Sequence, residues 1–362
     1  MIKEKGIGLF LDCIKGRIRI VQLVNLIKYV LGGRKVIVNW EPVFLEIYTT
    51  SRCNLNCAMC LTHSTKHENT YGKRPSKDME LDIFKRILNK FNKALLVELA
   101  GCGEPLLNKD LFQMAEYASK TMKMYVATVT NGTLVGQYKE QIVNSYIDTI
   151  NISINGYNSQ EYTRLTGMPE ECFGRIVKNI TELVKLRNVR KNKRLEIWIS
   201  FIIDSHNYKF IQQMVDLAQE LGVNGASFLH FIASPAEGFT PEERCIMTDN
   251  KDAIREIKRL QDNKSSRIKI KVNLHPLDKK LISQSSKLKY CRLPFYILGV
   301  DGEGNLGACS CQIFNSSEDI KFDQKDVWNN AYFQEFRKRL IETDLPLFEP
   351  CTWCNNNSPF SI

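Results

Sequence analysis

The sequence predicts an α/β protein in which helices cover a largely parallel sheet. Two observations support this fold class: short apolar runs alternate six times with stretches of helical periodicity, and the runs are almost continuously apolar. Continuous apolarity is typical of strands that are buried on both faces, as in parallel sheets. A partial or complete barrel fits this pattern best, and an open doubly wound sheet is the alternative.

The six predicted strands are short, and amphipathic helices are predicted between several of them. The strands are VFLEIYTT (43–50), ALLVELAG (94–101), MYVATVTNG (124–132), DTINISING (148–156), LEIWISFIID (195–204) and GASFLHFIA (225–233). The helices are MELDIFKRILNKF (79–91), DLFQMAEYASKT (110–121), ECFGRIVKNITELVKLR (171–187) and FIQQMVDLAQELG (210–222). In either sheet layout, ligands bind at the carboxyl ends of the strands, so the residues there are the candidates for function.

The chain divides into four predicted regions. Residues 1–42 form an N-terminal amphipathic helical extension, 43–240 the barrel, 241–287 a helical bridge, and 288–362 a small cysteine-rich domain. The extension contains IRIVQLVNLIKYVL (18–31), which two basic residues interrupt and which is too short to span a bilayer. We expect this helix to pack on the barrel, with a membrane-surface anchor as the alternative and no stable membrane span.

Composition limits the compartment and the partners. The 362 residues include twelve cysteines, and no secretory signal pattern opens the chain, so we expect reduced thiols and a cytoplasmic protein. The net charge of +10 favours an anionic substrate or an acidic protein partner. The basic residues are scattered, and their densest cluster, RNVRKNKR (187–194), has no nucleic-acid-binding signature beside it. We therefore expect no nucleic-acid partner.

Three cysteines follow the first predicted strand. Cys53, Cys57 and Cys60 have the spacing C-x3-C-x2-C, and no second cysteine pair lies nearby in sequence to complete a structural zinc site. A 4Fe-4S cluster has four irons, so three thiolates leave one iron open for another ligand. The spacing therefore suits a cluster that must bind a second molecule.

The segment CNLNCAMC (53–60) resembles the signature loop of the radical S-adenosylmethionine (SAM) enzymes. The resemblance implies that SAM chelates the open iron and is reductively cleaved to a 5′-deoxyadenosyl radical, which abstracts a hydrogen atom from the substrate. The residue before the third cysteine is often aromatic in this family and lies near the adenine. Here it is Met59, which predicts a softer contact with the cofactor.

The ends of the second and third strands also resemble this family. AGCGEPLL (100–107) resembles the Gly-Gly-Glu-Pro segment that contacts the SAM amino group, with Cys102 in place of one glycine. The resemblance makes Gly101, Gly103 and Glu104 candidate cofactor-binding residues, and glycine there would let the backbone approach a ligand closely. TNG (130–132) ends the third strand as in relatives, which adds Asn131 to the candidates.

The fourth strand end supplies further candidates through the same resemblance. SING (153–156) resembles the family's Ser-x-Asp-Gly, with Asn155 replacing the acid. Ser153 is a candidate for contact with the SAM carboxylate or ribose. Arg164, or alternatively Arg175, is a candidate partner for the SAM carboxylate.

Four cysteines near the C-terminus form a second candidate metal site. Two separated pairs, Cys291 with Cys309 and Cys351 with Cys354, could bind zinc. Beside a radical SAM domain, the pattern C-x12-G-x4-C with a distant C-x2-C instead resembles the twitch form of the SPASM domain. That resemblance implies one auxiliary 4Fe-4S cluster, which four cysteines would saturate, suiting electron transfer.

The glycines and cysteines before residue 312 predict a β-hairpin. YILGVDGEGNLGACSC (296–311) reads as two strands around DGEGN, which would return Cys309 towards Cys291. Cys311 would share a strand face with Cys309 and could replace it as ligand. With the family resemblance, the predicted fold becomes a partial (β/α)6 TIM-like barrel of the radical SAM type with a small C-terminal twitch/SPASM-like iron–sulfur domain.

Two residues beyond the cofactor set are candidate catalytic groups. Cys245 follows the sixth strand, and some radical epimerases of this family return a hydrogen atom from a cysteine; Cys102 is a weaker candidate. His230 ends the sixth strand, where it could contact substrate or act as a base, although a core histidine is the simpler interpretation.

The sequence thus predicts a radical SAM oxidoreductase, of dehydrogenase or epimerase type, with two 4Fe-4S clusters. The leading hypothesis is oxidation of a sugar or aminocyclitol carbon with electron transfer to the auxiliary cluster. An epimerase or crosslinking maturase of a ribosomally made peptide is the alternative, and a non-catalytic, metal-stabilised binding protein represents another class. A reductant such as flavodoxin or ferredoxin is the expected protein partner.

Overall fold

The computed structural model describes residues 18–60, 62–64, 77–231, 241–263, 267–274, 276–277, 291–309, 320–342, 345–346, 348, 351 and 354. The strands are β1 Phe44–Tyr48, β2 Leu96–Ala100, β3 Tyr125–Thr130, β4 Thr149–Ser153, β5 Glu196–Ile203, β6 Gly225–His230, β7 Lys269–Asn273, β8 Ile297–Val300 and β9 Leu306–Gly307. The helices are α1 Ile20–Gly32, α2 Leu81–Lys90, α3 Leu111–Glu116, α4 Val135–Asn144, α5 Ser159–Thr166, α6 Glu170–Val189, α7 Ile211–Glu220, α8 Pro241–Arg244, α9 Lys251–Gln261 and α10 Ala331–Ile341.

The strands form a single sheet in the order β7-β6-β5-β4-β3-β2-β1-β8-β9. Each strand from β1 to β6 pairs in parallel with the next one along the chain, so β2 to β7 are added one after another on the same side of β1. A doubly wound sheet would instead reverse direction at a switch point. The inward-facing side chains of β1 to β8 line one common cavity, which confirms the predicted partial barrel.

The core lies between the sheet and the helices that surround it. Alternate strand residues such as Leu45, Ile47 and Val97 are fully buried on the outer face of the sheet. They pack with the apolar faces of the helices, for example with Phe84 and Ile87 of α2. Because side chains alternate along a strand, the intervening residues face the barrel interior, where the sequence is free to be polar.

The bridge predicted as helical contains a strand as well as two helices. β7 (Lys269–Asn273) has the sequence KIKVN, in which the polar residues are exposed and the apolar ones partly buried. An edge strand of this kind has a polar face, so it lacks the continuous apolarity that revealed the first six strands. Helices α4 and α5 were also missed by the periodicity analysis, and α5 has only eight residues.

The C-terminal cysteine-rich segment extends the barrel sheet. β8 pairs in parallel with β1, and β9 returns antiparallel to β8, which confirms the hairpin around DGEGN. Gly304 in this turn has φ of 81°, and a Cβ there would lie 2.6 Å from the Phe322 ring. The turn therefore requires glycine.

The N-terminal helix α1 packs on the barrel through a face that combines two amides with the apolar side chains of Leu26 and Tyr29. Gln22 and Asn25 are buried, while the apolar side chains of Ile20 and Leu31 are 81% and 79% exposed. The Gln22 amide donates to the carbonyls of Ala94 (2.7 Å) and Met122 (3.0 Å). The predicted packing is observed, and several apolar side chains of the helix remain exposed on its outer side. Among the helices that the structure describes, none is long and apolar enough to cross a membrane.

We expect Gln22→Leu to destabilise the fold, because two carbonyls that are buried next to α1 would lose their donor. Each buried group left without a partner costs about 1–3 kcal/mol, so the unfolding free energy should fall by about 3 kcal/mol. Gln137→Leu on α4, where the side chain is exposed, is the control and should change stability by less than about 0.5 kcal/mol. Equal denaturation midpoints for the two variants would contradict this account of α1 packing.

Candidate active site

The three-cysteine loop lies immediately after β1, at the carboxyl end of the barrel. Cys53, Cys57 and Cys60 are all partly buried. The Cys60 N–H donates to the Cys57 carbonyl (2.9 Å), and the Ala58 N–H donates to the Thr166 carbonyl at the end of α5 (2.7 Å). The loop is therefore held both by its own turn and by a neighbouring helix end.

The three thiols are close enough to influence one another electrostatically. Burial, followed by the proximity of Cys60 and Cys53, raises the pKa of Cys57 to about 12. The pKa of Cys53 is raised for the same first reason, with further contributions from Glu104 and Cys60. Because only thiolates bind iron, a positively charged group must offset these costs, as the irons of a cluster do.

Zinc-like geometry is not found in the described part of the chain: no three Cys, His, Asp or Glu side chains there lie close enough to hold one metal ion. A cubane cluster requires a wider arrangement, since each thiolate binds a separate iron. Three thiols on one loop that influence one another electrostatically fit this arrangement.

The glycine loop after β2 packs directly against the start of the cysteine loop. A Cβ on Gly103 would lie 1.9 Å from the Arg52 carbonyl oxygen, and a Cβ on Gly101 would lie 2.5 Å from the Gly103 carbonyl oxygen. The Glu104 N–H donates to the same Arg52 carbonyl (2.7 Å). The sequence predicted glycines that approach a ligand, and the structure shows that they also let two backbones meet.

Glu104 joins the ends of β2 and β3. Its carboxylate is 1% exposed and accepts from the Thr130 hydroxyl (2.7 Å), the Asn131 N–H (2.7 Å) and the Leu106 N–H (3.1 Å). Burial raises the pKa of Glu104, and these three donors oppose that shift. Since a carboxylate offers about four acceptor positions, about one remains for a further donor.

Asn131 connects the third strand end to the cysteine loop. Its side-chain amide donates to the Asn54 side-chain oxygen (2.9 Å) and lies 3.9 Å from the Cys53 sulfur. Its own oxygen accepts from the Thr133 N–H (3.0 Å) and hydroxyl. The tertiary structure thus brings together three of the strand ends that sequence alone identified separately.

Met59, Ser153 and His230 line one cavity of about 660 Å³ inside the barrel. The Ser153 hydroxyl lies 3.4 Å from the Ser200 hydroxyl, and the His230 Nδ1 lies 3.0 Å from the Asn273 carbonyl oxygen. Met59 therefore connects the cysteine loop to the cavity, as expected for a space shared by cofactor and substrate.

Cys245 lies behind the cavity wall. Its thiol is buried and donates to the Phe231 carbonyl (3.3 Å). It packs in a cluster with Leu165 and Phe231, against which Met59 also packs. Phe231 and Met59 line the cavity, whereas Cys245 is not among its lining residues.

Arg164 is engaged by protein carboxylates. Its guanidinium contacts Asp204 at 3.1 and 3.3 Å and Glu161 at 3.0 Å. Arg244 also contacts Asp204 (3.1 Å). Burial alone would raise the pKa of Asp204, but Arg164 and neighbouring backbone donors hold it below its usual value. To bind SAM, Arg164 would have to share its charge with this network.

The C-terminal cysteines approach one another around the β8–β9 hairpin. Cys291 precedes β8 and Cys309 follows β9. Burial and the proximity of Cys354 and Cys309 raise the pKa of Cys291 well above its usual value, while Arg34 opposes that shift. Cys351 is partly buried against the core. Cys311, the alternative ligand, lies outside the described residues.

Sequence reasoning missed several polar residues in the cavity wall, among them Glu46, Glu98 and Asn151. The available signal was a charged or amide side chain at the middle of an otherwise apolar strand: LEIY, VELA and INIS. Such residues are costly inside a barrel unless they have a partner or a ligand.

Comparison with known proteins agrees with this geometry. Residues 47–202 match the sequence profile of the Radical SAM superfamily. The AdoMet-dependent heme synthase of Methanosarcina barkeri is 28% identical over 185 residues, covering 50% of this chain and 48% of that protein. A probable GTP 3′,8-cyclase of Methanocaldococcus jannaschii is 24% identical over 178 residues, covering 49% and 55%. The chain therefore spans about half the length of the curated relatives it matches.

Solved structures share the fold over most of the chain. Streptococcus suis SuiB bound to the precursor peptide SuiA superposes with a TM-score of 0.62 at 18% identity, covering 86% of this chain and 70% of SuiB. The enzyme anSMEcpe with bound AdoMet gives a TM-score of 0.58 at 13% identity, covering 81% and 82%. At these identities the likeness concerns the fold.

Proposed function

We propose, from the premise that this chain contains a radical SAM domain, that it cleaves SAM reductively and oxidises a carbon of a sugar or aminocyclitol. The observation that carries the proposal is the junction of the cysteine loop, the glycine loop and Asn131, next to the barrel cavity that Met59 of the cysteine loop lines. When bound, the cluster and SAM supply the electron and the radical that removes hydrogen.

The chain's own residues supply position and shielding in this proposal. Cys53, Cys57 and Cys60 hold the cluster, and the glycine loop and the free acceptor position of Glu104 receive the SAM amino group. Met59 covers the adenine side, while Ser153 faces the cavity where the SAM carboxylate or ribose would lie. Asn131, hydrogen-bonded to Asn54, keeps the third strand end next to Cys53.

An auxiliary 4Fe-4S cluster on Cys291, Cys309, Cys351 and Cys354 is the proposed electron acceptor. The influence of Cys354 and Cys309 on the pKa of Cys291 supports this assignment, as does the fold likeness to SuiB over most of the chain. A flavodoxin or ferredoxin is the proposed reductant, and the cytoplasm is the proposed location, since reduced thiols suit that compartment.

Peptide modification is the second candidate. The inward side chains of the edge strand β7, Lys269, Lys271 and Asn273, are exposed, so that side of the cavity could admit an extended chain. SuiB, whose fold is shared, was crystallised with a precursor peptide. An epimerase would take hydrogen from solvent through a thiol, so solvent deuterium should enter its product and Cys245→Ala should lose turnover.

Anaerobic reconstitution tests the proposal directly. We expect about eight iron atoms per chain, as two 4Fe-4S clusters require, and formation of 5′-deoxyadenosine from SAM after reduction. Substrates deuterated at the reacting carbon should transfer deuterium into 5′-deoxyadenosine. Bound zinc without 5′-deoxyadenosine would instead support the non-catalytic, metal-stabilised class.

A further inference from the structure

Two carboxylic acids stand side by side in the wall of the barrel cavity. Glu46 of β1 and Glu98 of β2 are direct partners in the parallel register, and both line the cavity. Neighbouring strands lie about 4.8 Å apart, so side chains at one register position on one face are adjacent. Placing two carboxylates there is unfavourable unless a cation or a proton is shared between them.

Lys271 and the Tyr48 hydroxyl lie near the pair. Burial, followed by the proximity of Glu46, raises the pKa of Glu98 to about 8, and Lys271 across the cavity opposes that shift. The Tyr48 hydroxyl donates to Glu46 (3.0 Å). Glu98 has no hydrogen-bond partner among the residues that the structure describes. Lys271, on the exposed face of β7, lies 5.2 Å from the Trp198 ring.

A third acceptor faces the same space. The side-chain oxygen of Asn151 on β4 is buried and has no hydrogen-bond partner within the described part of the chain, and Asn151 lines the cavity. A buried oxygen without a donor costs about 1–3 kcal/mol, which a ligand N–H would recover. The nearby Thr128 hydroxyl cannot supply the donor while it donates to the Leu99 carbonyl (2.7 Å).

We propose that Glu46 and Glu98 bind a protonated amine of the substrate, with Asn151 accepting a further hydrogen bond from the same molecule. An ammonium group is a compact cation with three donors, which matches the two carboxylates and the amide oxygen. This inference rests on the proposed function and narrows its substrate to amines. The amine belongs either to an aminated sugar or cyclitol or to a lysine side chain.

Calorimetry on the anaerobically reconstituted protein, with SAM present and no reductant, tests the inference. Glucosamine and N-acetylglucosamine form one pair of probes, and the peptide Gly-Lys-Gly and its ε-acetylated form are the other. In one pair at least, we expect the amine to bind at least about tenfold more tightly than its acetylated partner, a difference of about 1.4 kcal/mol. The pair that discriminates identifies the source of the amine.

Isosteric variants locate the site. Glu98→Gln and Glu46→Gln should each weaken binding of the discriminating amine about tenfold or more, with little effect on the acetylated probe. Glu182→Gln, the same change on the surface of α6 where Glu182 pairs with Lys139, should leave amine binding unchanged. Iron content and circular dichroism establish that each variant is folded. Asn151→Ala is a further variant, which leaves both carboxylates in place.

Several outcomes would overturn the inference. The first is equal binding of the amine and acetylated probes. The second is no amine binding at about 10 mM. The third is equal effects of Glu98→Gln and Glu182→Gln on amine binding. Reductive SAM cleavage by the wild-type protein without amine binding would reject the inference alone. Amine binding without any SAM cleavage would reject the proposed function alone.

Discussion

Cys57→Ala should reduce formation of 5′-deoxyadenosine to background, a loss of at least about a thousandfold, and should lower the iron content by about half. Cys57 is the middle thiol of the loop, and it interacts with both Cys60 and Cys53. With two thiolates left on the loop, the cluster loses one of its three covalent ligands. Iron analysis and product quantification after anaerobic reconstitution measure both effects.

Cys172→Ala is the matched control for this prediction. Cys172 lies on α6, close enough to influence the Cys57 thiol, but it is separated from the signature loop in sequence. It packs against the core, so its loss should cost about 1 kcal/mol of stability and leave both clusters in place. If Cys172→Ala also lost half of the iron, the assignment of ligands to the C-x3-C-x2-C loop would be wrong.

Gly103→Ala should lower SAM cleavage by about a hundredfold or more and destabilise the protein by about 3 kcal/mol. The new Cβ would lie 1.9 Å from the Arg52 carbonyl oxygen and 2.8 Å from the Arg52 nitrogen. Both are backbone atoms directly before Cys53, so relief of the overlap must move the cysteine loop away from the glycine loop. The cluster on the cysteine loop would then be displaced relative to the bound cofactor.

Gly174→Ala separates this effect from a general intolerance of alanine. Gly174 lies within α6, and a Cβ there would meet nothing within 4 Å. Because alanine is the better helix former, this variant should be stabilised by up to about 1 kcal/mol and keep full SAM cleavage. Normal SAM affinity and cleavage in Gly103→Ala would show that the two loops can separate without consequence, contrary to the expected coupling.

The first six strands could be predicted from sequence because they are rich in buried apolar side chains. Continuous apolar runs gave boundaries within a few residues of β1 to β6, for example 195–204 against Glu196–Ile203. β7 was not predicted because its inward face is exposed and carries lysines. The pairing of β8 with β1 was not predicted either, since it joins residues about 250 apart in sequence. No local sequence pattern indicates which strand edge a distant segment will pair with.

The candidate site likewise has a part that sequence alone predicted and a part that depends on the tertiary structure. The spacing of Cys53, Cys57 and Cys60 carries its chemistry within eight residues, so sequence alone was sufficient to predict a cluster with an open iron. The roles of Glu104 and Arg164 depend on partners elsewhere in the chain. Glu104 bridges two strand ends, and Arg164 pairs with Asp204 forty residues away, so both have structural partners that the family resemblance did not reveal.

Sequence by itself determined the fold class and the radical SAM domain and predicted the metal-binding loop, because these depend on local periodicity and on short spacings. Only the tertiary structure decided that the glycine loop and the cysteine loop share a backbone contact at Gly103. It alone placed Glu46 beside Glu98, although the two are more than fifty residues apart in sequence. The physical reason is that strand register and barrel closure bring such residues together, and both arise from the packing of the whole sheet.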